Sequence, residues 1–248
     1  MSGFKDHFSS HAAAYAAYRP AYPPQLAAWV ASIVPTRGLA LDVGAGSGQL
    51  SVLLAEHFDQ VVAADPSLRQ IESGVRHPKI DFRIATAEKC DLPDASVDLL
   101  TAAQAAHWFE LPLFYAEARR LLKPGGAIVL ICYAGMENRS PIEPLIDAFR
   151  LETLKQYWPT ERQLVEDGYR NIHLPFEPVA APQFFIEVEW SLPAMIGYLD
   201  TWSAIRAMER DHGRGRFESF LAELTKTWGD PHITRRIGWP LAIVAGRN

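Results

Sequence analysis

The chain has 248 residues, of which 48% are hydrophobic and 21% are charged, and its formal net charge is −5. This composition is typical of a soluble globular protein, the length is enough for one full α/β domain with an insertion, and the negative charge argues against a nucleic-acid partner. No apolar run is long enough to span a bilayer, and residues 1–7 lack the order of a signal peptide. We therefore expect a cytoplasmic protein with neither a nucleic-acid nor a membrane partner.

The two cysteines, Cys90 and Cys132, are far apart in the sequence and lie in different contexts. Two cysteines are too few for a cysteine-based metal site, and their separation does not favour a structural disulfide. We expect no metal.

Strand and helix patterns alternate from about residue 38 to residue 132. Such alternation predicts a parallel sheet with helices on both faces. The segment 123–126 (KPGG) is typical of a helix end followed by a strand. We predict strands at 39–43, 60–64, 80–85, 97–102 and 127–132, and helices at about 48–57, 67–76 and 110–122.

The remainder of the chain is predicted to be mainly helical, with strands near its end. Residues 184–190 alternate as a strand does, and residues 239–245 form a last apolar strand. We expect this late pair to close the sheet. The predicted helical segments are 141–168, 193–210 and 214–228.

The first strand ends in a glycine-rich turn, 42–48 (DVGAGSG). Gly44, Gly46 and Gly48 permit positive φ and remove each Cβ that would keep a ligand from the backbone. A strand, a glycine turn and a helix together form the architecture of a nucleotide or nucleoside site. The spacing is G-x-G-x-G, which differs from the G-x-G-x-x-G of dinucleotide sites.

Asp65 ends the second strand, about 20 residues after the glycine turn. At that place a carboxylate can accept hydrogen bonds from both ribose hydroxyls. The alternative is that Asp65 only caps the next helix, because Asp-Pro-Ser is a favourable helix start.

The ends of the third and fourth strands carry further polar and aromatic candidates. Thr86, Ala87 and Glu88 follow the third strand, and Gln104, His107 and Trp108 follow the fourth. Ligands in open α/β sheets bind at these carboxyl ends. His107 is either a general base or a buried structural histidine, and Trp108 either faces a cation or fills the core.

Five segments together resemble class I S-adenosylmethionine (SAM) methyltransferases. They are 42–48, 64–67 (ADPS), 87–88 with 92–93, 104–108 (QAAHW) and 123–126. The chain looks like the type 11 small-molecule group. Residues 18–23 (YRPAYP), 104–108 and 198–203 (YLDTWS) further resemble the trans-aconitate methyltransferase-like branch.

This resemblance implies a Rossmann-like, doubly wound α/β fold with a seven-stranded sheet, parallel except for an antiparallel last strand, and a helical cap or lid. It implies SAM as the cofactor, held by Asp42, Gly44, Ala45, Gly46, Gly48, Asp65, Pro66, Thr86, Ala87, Glu88, Gln104 and Tyr18. Many relatives have an aspartate where this chain has Thr86. The acceptor would contact Trp108, Trp202 and Tyr15.

We expect one methyltransferase domain over 1–248, with N-terminal lid helices at 1–34 and a SAM-binding core at 35–135. A helical cap and late strand follow at 136–235, and the final strand at 236–248. In the lid, Tyr15, Tyr18 and Arg19 would close over the cofactor or the acceptor. The alternative for the two tyrosines is ordinary packing on a surface helix.

The expected reaction is methyl transfer to a small molecule by a monomer or homodimer. A carboxylate acceptor needs no base but needs a cationic clamp, for which Arg19 and Arg206 are candidates, although Arg206 also fits a solvated helix position. A hydroxyl or amine acceptor would make His107 the base. The alternatives are an NAD-binding oxidoreductase and a non-catalytic SAM-binding protein.

Overall fold

The computed structural model describes residues 20–137 and 140–248, which form a central sheet with helices on both faces. The strands are β1 (Leu39–Val43), β2 (Gln60–Asp65), β3 (Ile80–Ile84), β4 (Val97–Ala103), β5 (Leu122–Cys132), β6 (Glu177–Pro178), β7 (Phe185–Trp190), β8 (Arg235–Pro240) and β9 (Ala242–Arg247). The α-helices are α1 (Pro24–Ser32), α2 (Gln49–Ala55), α3 (Leu68–Glu72), α4 (Leu111–Leu121), α5 (Ile142–Ala148), α6 (Arg162–Glu166), α7 (Leu192–Asp200), α8 (Ser203–His212) and α9 (Gly215–Trp228). No helix among these described residues is long and apolar enough to cross a membrane.

The central sheet has seven strands in the order β3-β2-β1-β4-β5-β9-β6. Strands β1 to β5 pair in parallel, and β9 runs antiparallel to both β5 and β6. The strand order reverses between β1 and β4, which creates the crevice where doubly wound folds bind ligands. The predicted fold class and the antiparallel last strand are confirmed.

The late strands differ from the sequence prediction. The predicted strand at 184–190 forms as β7, but it pairs with β8 in a separate two-stranded sheet. The predicted last strand at 239–245 is divided, since Trp239 and Pro240 end β8 and the final strand begins at Ala242. The sheet is instead completed by β6, whose two residues are too few for a periodic pattern.

The predicted helix over 193–210 is two helices, α7 and α8, separated at Thr201 and Trp202. The Thr201 hydroxyl donates to the Tyr198 carbonyl at 2.6 Å, a local bond that competes with helix continuation. The predicted helical segment 141–168 holds α5, a π turn (Phe149–Thr153), a 3₁₀ turn (Lys155–Tyr157) and α6.

The sheet separates two hydrophobic layers, and β5 contributes to both. Val129 and Ile131 pack in one layer, while Ile128, Leu130 and Cys132 pack in the other. This alternation follows from the two-residue period of a strand. Because both faces are covered, the polar carboxyl ends of the strands remain the natural place for a ligand.

Candidate active site

A cavity of about 600 Å³ lies at the carboxyl ends of β1, β2 and β4 and beside the loop after β3. The glycine turn forms one wall, and the segment after β4 forms another. Lining residues are Tyr22, Asp42, Gly44, Ala45, Gly46, Ser47, Gln49, Leu50, Asp65, Pro66, Ser67, Gln70, Thr86, Ala87, Glu88, Ala103, Gln104, Ala105, Trp108, Phe109, Glu110, Leu113, Tyr133 and Glu161. A cavity of this size suits a cofactor-sized ligand.

The glycine turn is shaped by packing as well as by the ligand cavity. Gly44 has φ +63°, and a Cβ there would lie 2.4 Å from the Cβ of Ala105. Gly46 has φ +57°, and among residues 20–137 and 140–248 the atom nearest to a Cβ there would be Gln70 Oε1, at 3.9 Å. Gly44 therefore permits the close approach of two backbones, whereas no described residue fills the space directly in front of Gly46.

Asp65 connects the end of β2 to the glycine turn. Its Oδ2 accepts the backbone N–H of Gly46 at 2.9 Å, and its Oδ1 accepts that of Ser67 at 2.8 Å. Ser67 caps α3 by accepting the Gln70 N–H through its side chain. The side chain that caps α3 is thus that of Ser67, while the Asp65 carboxylate faces the large cavity.

Asp42 is buried under the glycine turn. It accepts hydrogen bonds from Ser51 Oγ at 2.7 Å and from Thr101 Oγ1 at 2.9 Å, which connect β1 to α2 and to β4. Burial raises the pKa of Asp42 to about 6, although both hydrogen bonds act in the opposite direction. Asp42 therefore holds β1, α2 and β4 together beneath the glycine turn.

The loop after β3 brings Thr86, Ala87 and Glu88 to the large cavity. Glu88 Oε1 accepts the backbone N–H of Glu110 at 3.0 Å, so the loop is joined to the start of α4. Leu113 of α4 lines the same region although its side chain is largely exposed. Polar groups at Thr86 and Glu88 and the apolar side chain of Leu113 together suit a flat, heteroaromatic ring of a ligand.

A second, smaller cavity of about 50 Å³ adjoins the first. Both are lined by Gln104, Trp108 and Tyr133. Gln104 has φ +55°, and its Nε2 donates to the Tyr133 carbonyl at 2.7 Å, which fixes this boundary. The second cavity is otherwise lined by His107, Ala134, Trp158, Pro159, Arg162, Tyr198, Trp202 and Ser203.

His107 lies in the 3₁₀ turn Ala106–Trp108 and faces the second cavity rather than the first. Its Nδ1 is 3.0 Å from the Tyr169 hydroxyl oxygen. Burial, with a smaller contribution from the charge of Arg162, lowers the pKa of His107 to about 3. The imidazole is therefore neutral at pH 7.

The cation of the second cavity is Arg162 at the start of α6. Its Nε donates to Glu166 at 3.0 Å, and its guanidinium carbon lies 4.7 Å from the ring centroid of Trp158. Within 20–137 and 140–248, no residue accepts a hydrogen bond from its two terminal nitrogens. The guanidinium is oriented by its neighbours and keeps its outer donors available.

Arg206 does not have this freedom. Its terminal nitrogens donate to Asp200 at 2.6 Å and Glu209 at 3.0 Å, and it lines neither cavity. The structure therefore favours the helix-surface interpretation of Arg206 over a role as a clamp.

Most sequence-predicted site residues come together. Those at the large cavity are Asp42, Gly44, Ala45, Gly46, Asp65, Pro66, Thr86, Ala87, Glu88, Gln104 and Trp108, and the second cavity adds His107 and Trp202. Gly48 lines neither cavity, because it faces Phe82, 2.8 Å from where its Cβ would lie. Tyr15, Tyr18 and Arg19 lie outside the described residues.

Sequence reasoning missed several lining residues. Ser47 and Gln49 were detectable, since they lie within or beside the glycine turn. Tyr133 was also detectable as the residue after β5, and Tyr22 lies within the segment 18–23 that carries the family resemblance. Glu161 and Arg162 carry no local signal. The lining of the large cavity fits a nucleoside. Asp65 offers a carboxylate that suits ribose hydroxyls, the backbone at Gly46 can be approached closely, and Leu113 forms an apolar wall.

Comparison with known proteins gives the family. A family model described as a methyltransferase domain matches residues 41–130. A Dictyostelium discoideum protein named as a methyltransferase is 39% identical over 219 residues, which cover 86% of this chain and 83% of that protein. A solved structure described as a type II methyltransferase from Anaeromyxobacter dehalogenans is 42% identical, with a TM-score of 0.87, and covers 93% of this chain and 98% of its own. The chain belongs to the class I SAM-dependent methyltransferases, rather than to the NAD-binding oxidoreductases, and SAM is its cofactor.

Proposed function

We propose that this methyltransferase acts on a small-molecule carboxylate, whose reacting end binds in the second cavity. The observation that carries the proposal is Arg162, whose outer guanidinium nitrogens lack a hydrogen-bond acceptor among residues 20–137 and 140–248. Guanidinium groups prefer planar anions that accept two hydrogen bonds at once. The resemblance to the trans-aconitate methyltransferase-like branch is consistent with such an acceptor.

The size and walls of the second cavity support a small acceptor. Its volume of about 50 Å³ suits a group of carboxyl size. Trp158 and Trp202 lie with ring centroids 5.6 Å apart, and Tyr198 is 5.8 Å from Trp202. Aromatic walls keep water away from the reacting group and strengthen its attraction to Arg162.

The proposed cofactor contacts follow from the large cavity. Asp65 accepts hydrogen bonds from the ribose hydroxyls, and the open backbone at Gly46 lets the cofactor approach closely. The loop 86–88 and Leu113 surround the adenine. Gln104 and Trp108 line both cavities and so position donor and acceptor toward each other. Tyr15, Tyr18 and Arg19 remain proposed lid residues.

When bound, SAM supplies a methyl group on a positively charged sulfur, and its transfer forms a carbon–oxygen bond, breaks a carbon–sulfur bond, and leaves a methyl ester and S-adenosylhomocysteine. A carboxylate is already the nucleophile at neutral pH, so the residues of the site have no proton to remove. Their task is alignment of the acceptor and exclusion of water.

The test pairs binding with an acceptor screen. Calorimetry with SAM, S-adenosylhomocysteine and NAD should show binding of the first two alone. Transfer from methyl-labelled SAM should then be compared for carboxylates and their amides, such as phenylacetate with phenylacetamide and trans-aconitate with its triamide. We expect base-labile methyl esters from at least one carboxylate and none from its amide. Methylation of phenols or amines alone would contradict the carboxylate assignment.

A further inference from the structure

We infer that Tyr169 is a positioning residue that holds His107 with its proton on Nε2, so that His107 donates a hydrogen bond to the acceptor and does not act as a base. This inference rests on the proposed function, because it takes the second cavity as the acceptor site. His107 would then be a second hydrogen-bond donor to the acceptor, besides Arg162. The two residues come from separate parts of the chain, the turn after β4 and the start of α6.

The hydrogen-bond pattern around Tyr169 sets the direction of the bond. Tyr169 is fully buried, and its hydroxyl oxygen is 3.0 Å from His107 Nδ1. Burial raises the pKa of Tyr169, so the phenol keeps its proton at neutral pH. In the described part of the chain, Nδ1 is the one acceptor that the hydroxyl proton can reach. A buried hydroxyl donates where an acceptor exists, so Nδ1 accepts.

The tautomer of His107 follows from this direction. A neutral imidazole carries one proton, and burial keeps His107 neutral, with a pKa of about 3. Because Nδ1 accepts from Tyr169, the proton must lie on Nε2. No residue within 20–137 or 140–248 forms a hydrogen bond with Nε2, and His107 lines the second cavity. An acceptor oxygen in that cavity would therefore meet an N–H donor.

The same short segment places both Arg162 and Tyr169. Arg162 begins α6, and the chain after α6 turns through Gly168 at φ +60° and Tyr169 at φ +56°. The turn is closed by the Tyr169 N–H, which donates to the Leu164 carbonyl at 2.9 Å. A tyrosine rarely adopts a positive φ, and such outliers persist where the surrounding structure enforces them. Here the turn places the Tyr169 hydroxyl beside His107, and α6 places the Arg162 guanidinium at the second cavity.

Two donors suit an anionic oxygen and do not suit an acceptor that must lose a proton. A hydroxyl or amine acceptor would need a proton acceptor beside it, and Nε2–H cannot serve. A carboxylate satisfies both the His107 donor and the Arg162 donors. The second cavity thus selects for acceptors that are already ionised.

The first experiment reads the tautomer directly. Long-range ¹H–¹⁵N NMR of protein labelled with ¹⁵N-histidine distinguishes Nδ1–H from Nε2–H, and His107→Gln identifies the His107 signals by their loss. We expect Nε2–H in the wild type and a mixture of tautomers in Tyr169→Phe. The matched control is Tyr115→Phe, which removes a buried hydroxyl that no described residue hydrogen-bonds. Tyr115 lines neither cavity. A wild-type Nδ1–H signal would overturn the inference.

The second experiment separates a donor from a base. Glutamine can place an amide N–H near the position of Nε2 but cannot act as a base. For the carboxylate with the highest kcat/KM, we expect His107→Gln to retain at least about tenfold more kcat/KM than His107→Ala. Tyr169→Phe should mainly raise KM for the carboxylate, with SAM affinity by calorimetry unchanged. Equal loss in the glutamine and alanine variants would overturn the donor role.

The outcomes distinguish this inference from the proposed function. If SAM binds and only phenols or amines are methylated, the carboxylate proposal fails and the donor role of His107 fails with it. If carboxylates are methylated and His107 carries its proton on Nδ1, the proposed function stands and only the inference about Tyr169 is wrong.

Discussion

The two cavities of this methyltransferase are built in different ways. The large cavity is formed by the chain directly after successive strands, so its walls are the glycine turn, the end of β2 and the loop after β3. The second cavity collects His107, Arg162 and Trp202 from segments that are distant in sequence. The cofactor site is therefore a local property of strand ends, whereas the proposed acceptor site depends on how the later helices pack.

This difference predicts that substitutions separate into two classes. Those in the glycine turn or at Asp65 should change SAM affinity, and those at Arg162 should change acceptor kinetics with SAM affinity intact. Substitutions at Gln104, Trp108 and Tyr133 should affect both quantities, because these residues line both cavities.

The largest expected effect is that of Asp65→Ala on the cofactor. The change removes the proposed ribose acceptor and the bonds to the Gly46 and Ser67 amides, so SAM affinity should fall by about 100-fold or more. Calorimetry measures this directly. The control is Asp59→Ala, an exposed acid away from the cavity. SAM affinity within threefold of the wild type would remove Asp65 from the ribose site.

Arg162→Gln should affect the acceptor side alone. Loss of a charged hydrogen-bond donor should lower kcat/KM for the preferred carboxylate by roughly 30-fold, while calorimetry shows unchanged SAM affinity. Arg206→Gln is the matched control, because its guanidinium is already held by Asp200 and Glu209. Similar kinetic losses in both variants would mean that Arg162 has no special role.

Two alanine substitutions divide folding from binding within the glycine turn. Gly44→Ala forces a Cβ to within 2.4 Å of Ala105 at a positive φ, so it should destabilise the fold by about 2 kcal/mol or more. Gly46→Ala has no such clash with any described residue and should cost about 1 kcal/mol, but its methyl group would lie in the cavity and weaken SAM binding. Thermal unfolding and calorimetry give the two readouts. A larger loss of stability for Gly46→Ala would reverse this assignment.

A pH dependence of stability is predicted from Asp42. Its pKa is about 6 in the folded chain against 3.8 as the ordinary value, so folding favours the protonated acid. Its contribution to stability is fully present below pH about 4 and is lost as pH rises through about 6, amounting to at most about 3 kcal/mol. Urea unfolding from pH 4 to pH 7 should show this slope in the wild type and not in Asp42→Asn. Equal slopes would place the ionised form of Asp42 in the native state throughout.

The sequence predicted the sheet and the large cavity well, because both depend on local patterns. Buried parallel strands appear as short apolar runs, and the G-x-G-x-G turn after β1 identifies the ligand end of the sheet. Asp65 follows from its place at the end of β2. The partner of β7 could not be predicted, because strand pairing between distant segments leaves no periodic signal.

The second cavity was largely hidden from the sequence. Arg162 lies among charged residues that are typical of an exposed helix, and Tyr169 follows Gly168 as an ordinary residue after a helix end. Their roles depend on the turn after α6 and on contacts with the segment after β4. His107 was identified as a site residue, but the direction of its hydrogen bond to Tyr169 requires the folded structure.

The most direct test is a crystal structure of the protein with S-adenosylhomocysteine and the carboxylate that has the highest kcat/KM. We predict S-adenosylhomocysteine in the large cavity with its ribose hydroxyls on Asp65, and the carboxylate in the second cavity within hydrogen-bond distance of Arg162 and of His107 Nε2. A carboxylate bound away from Arg162, or a nucleoside bound outside the large cavity, would contradict the division of this site into two cavities with separate tasks.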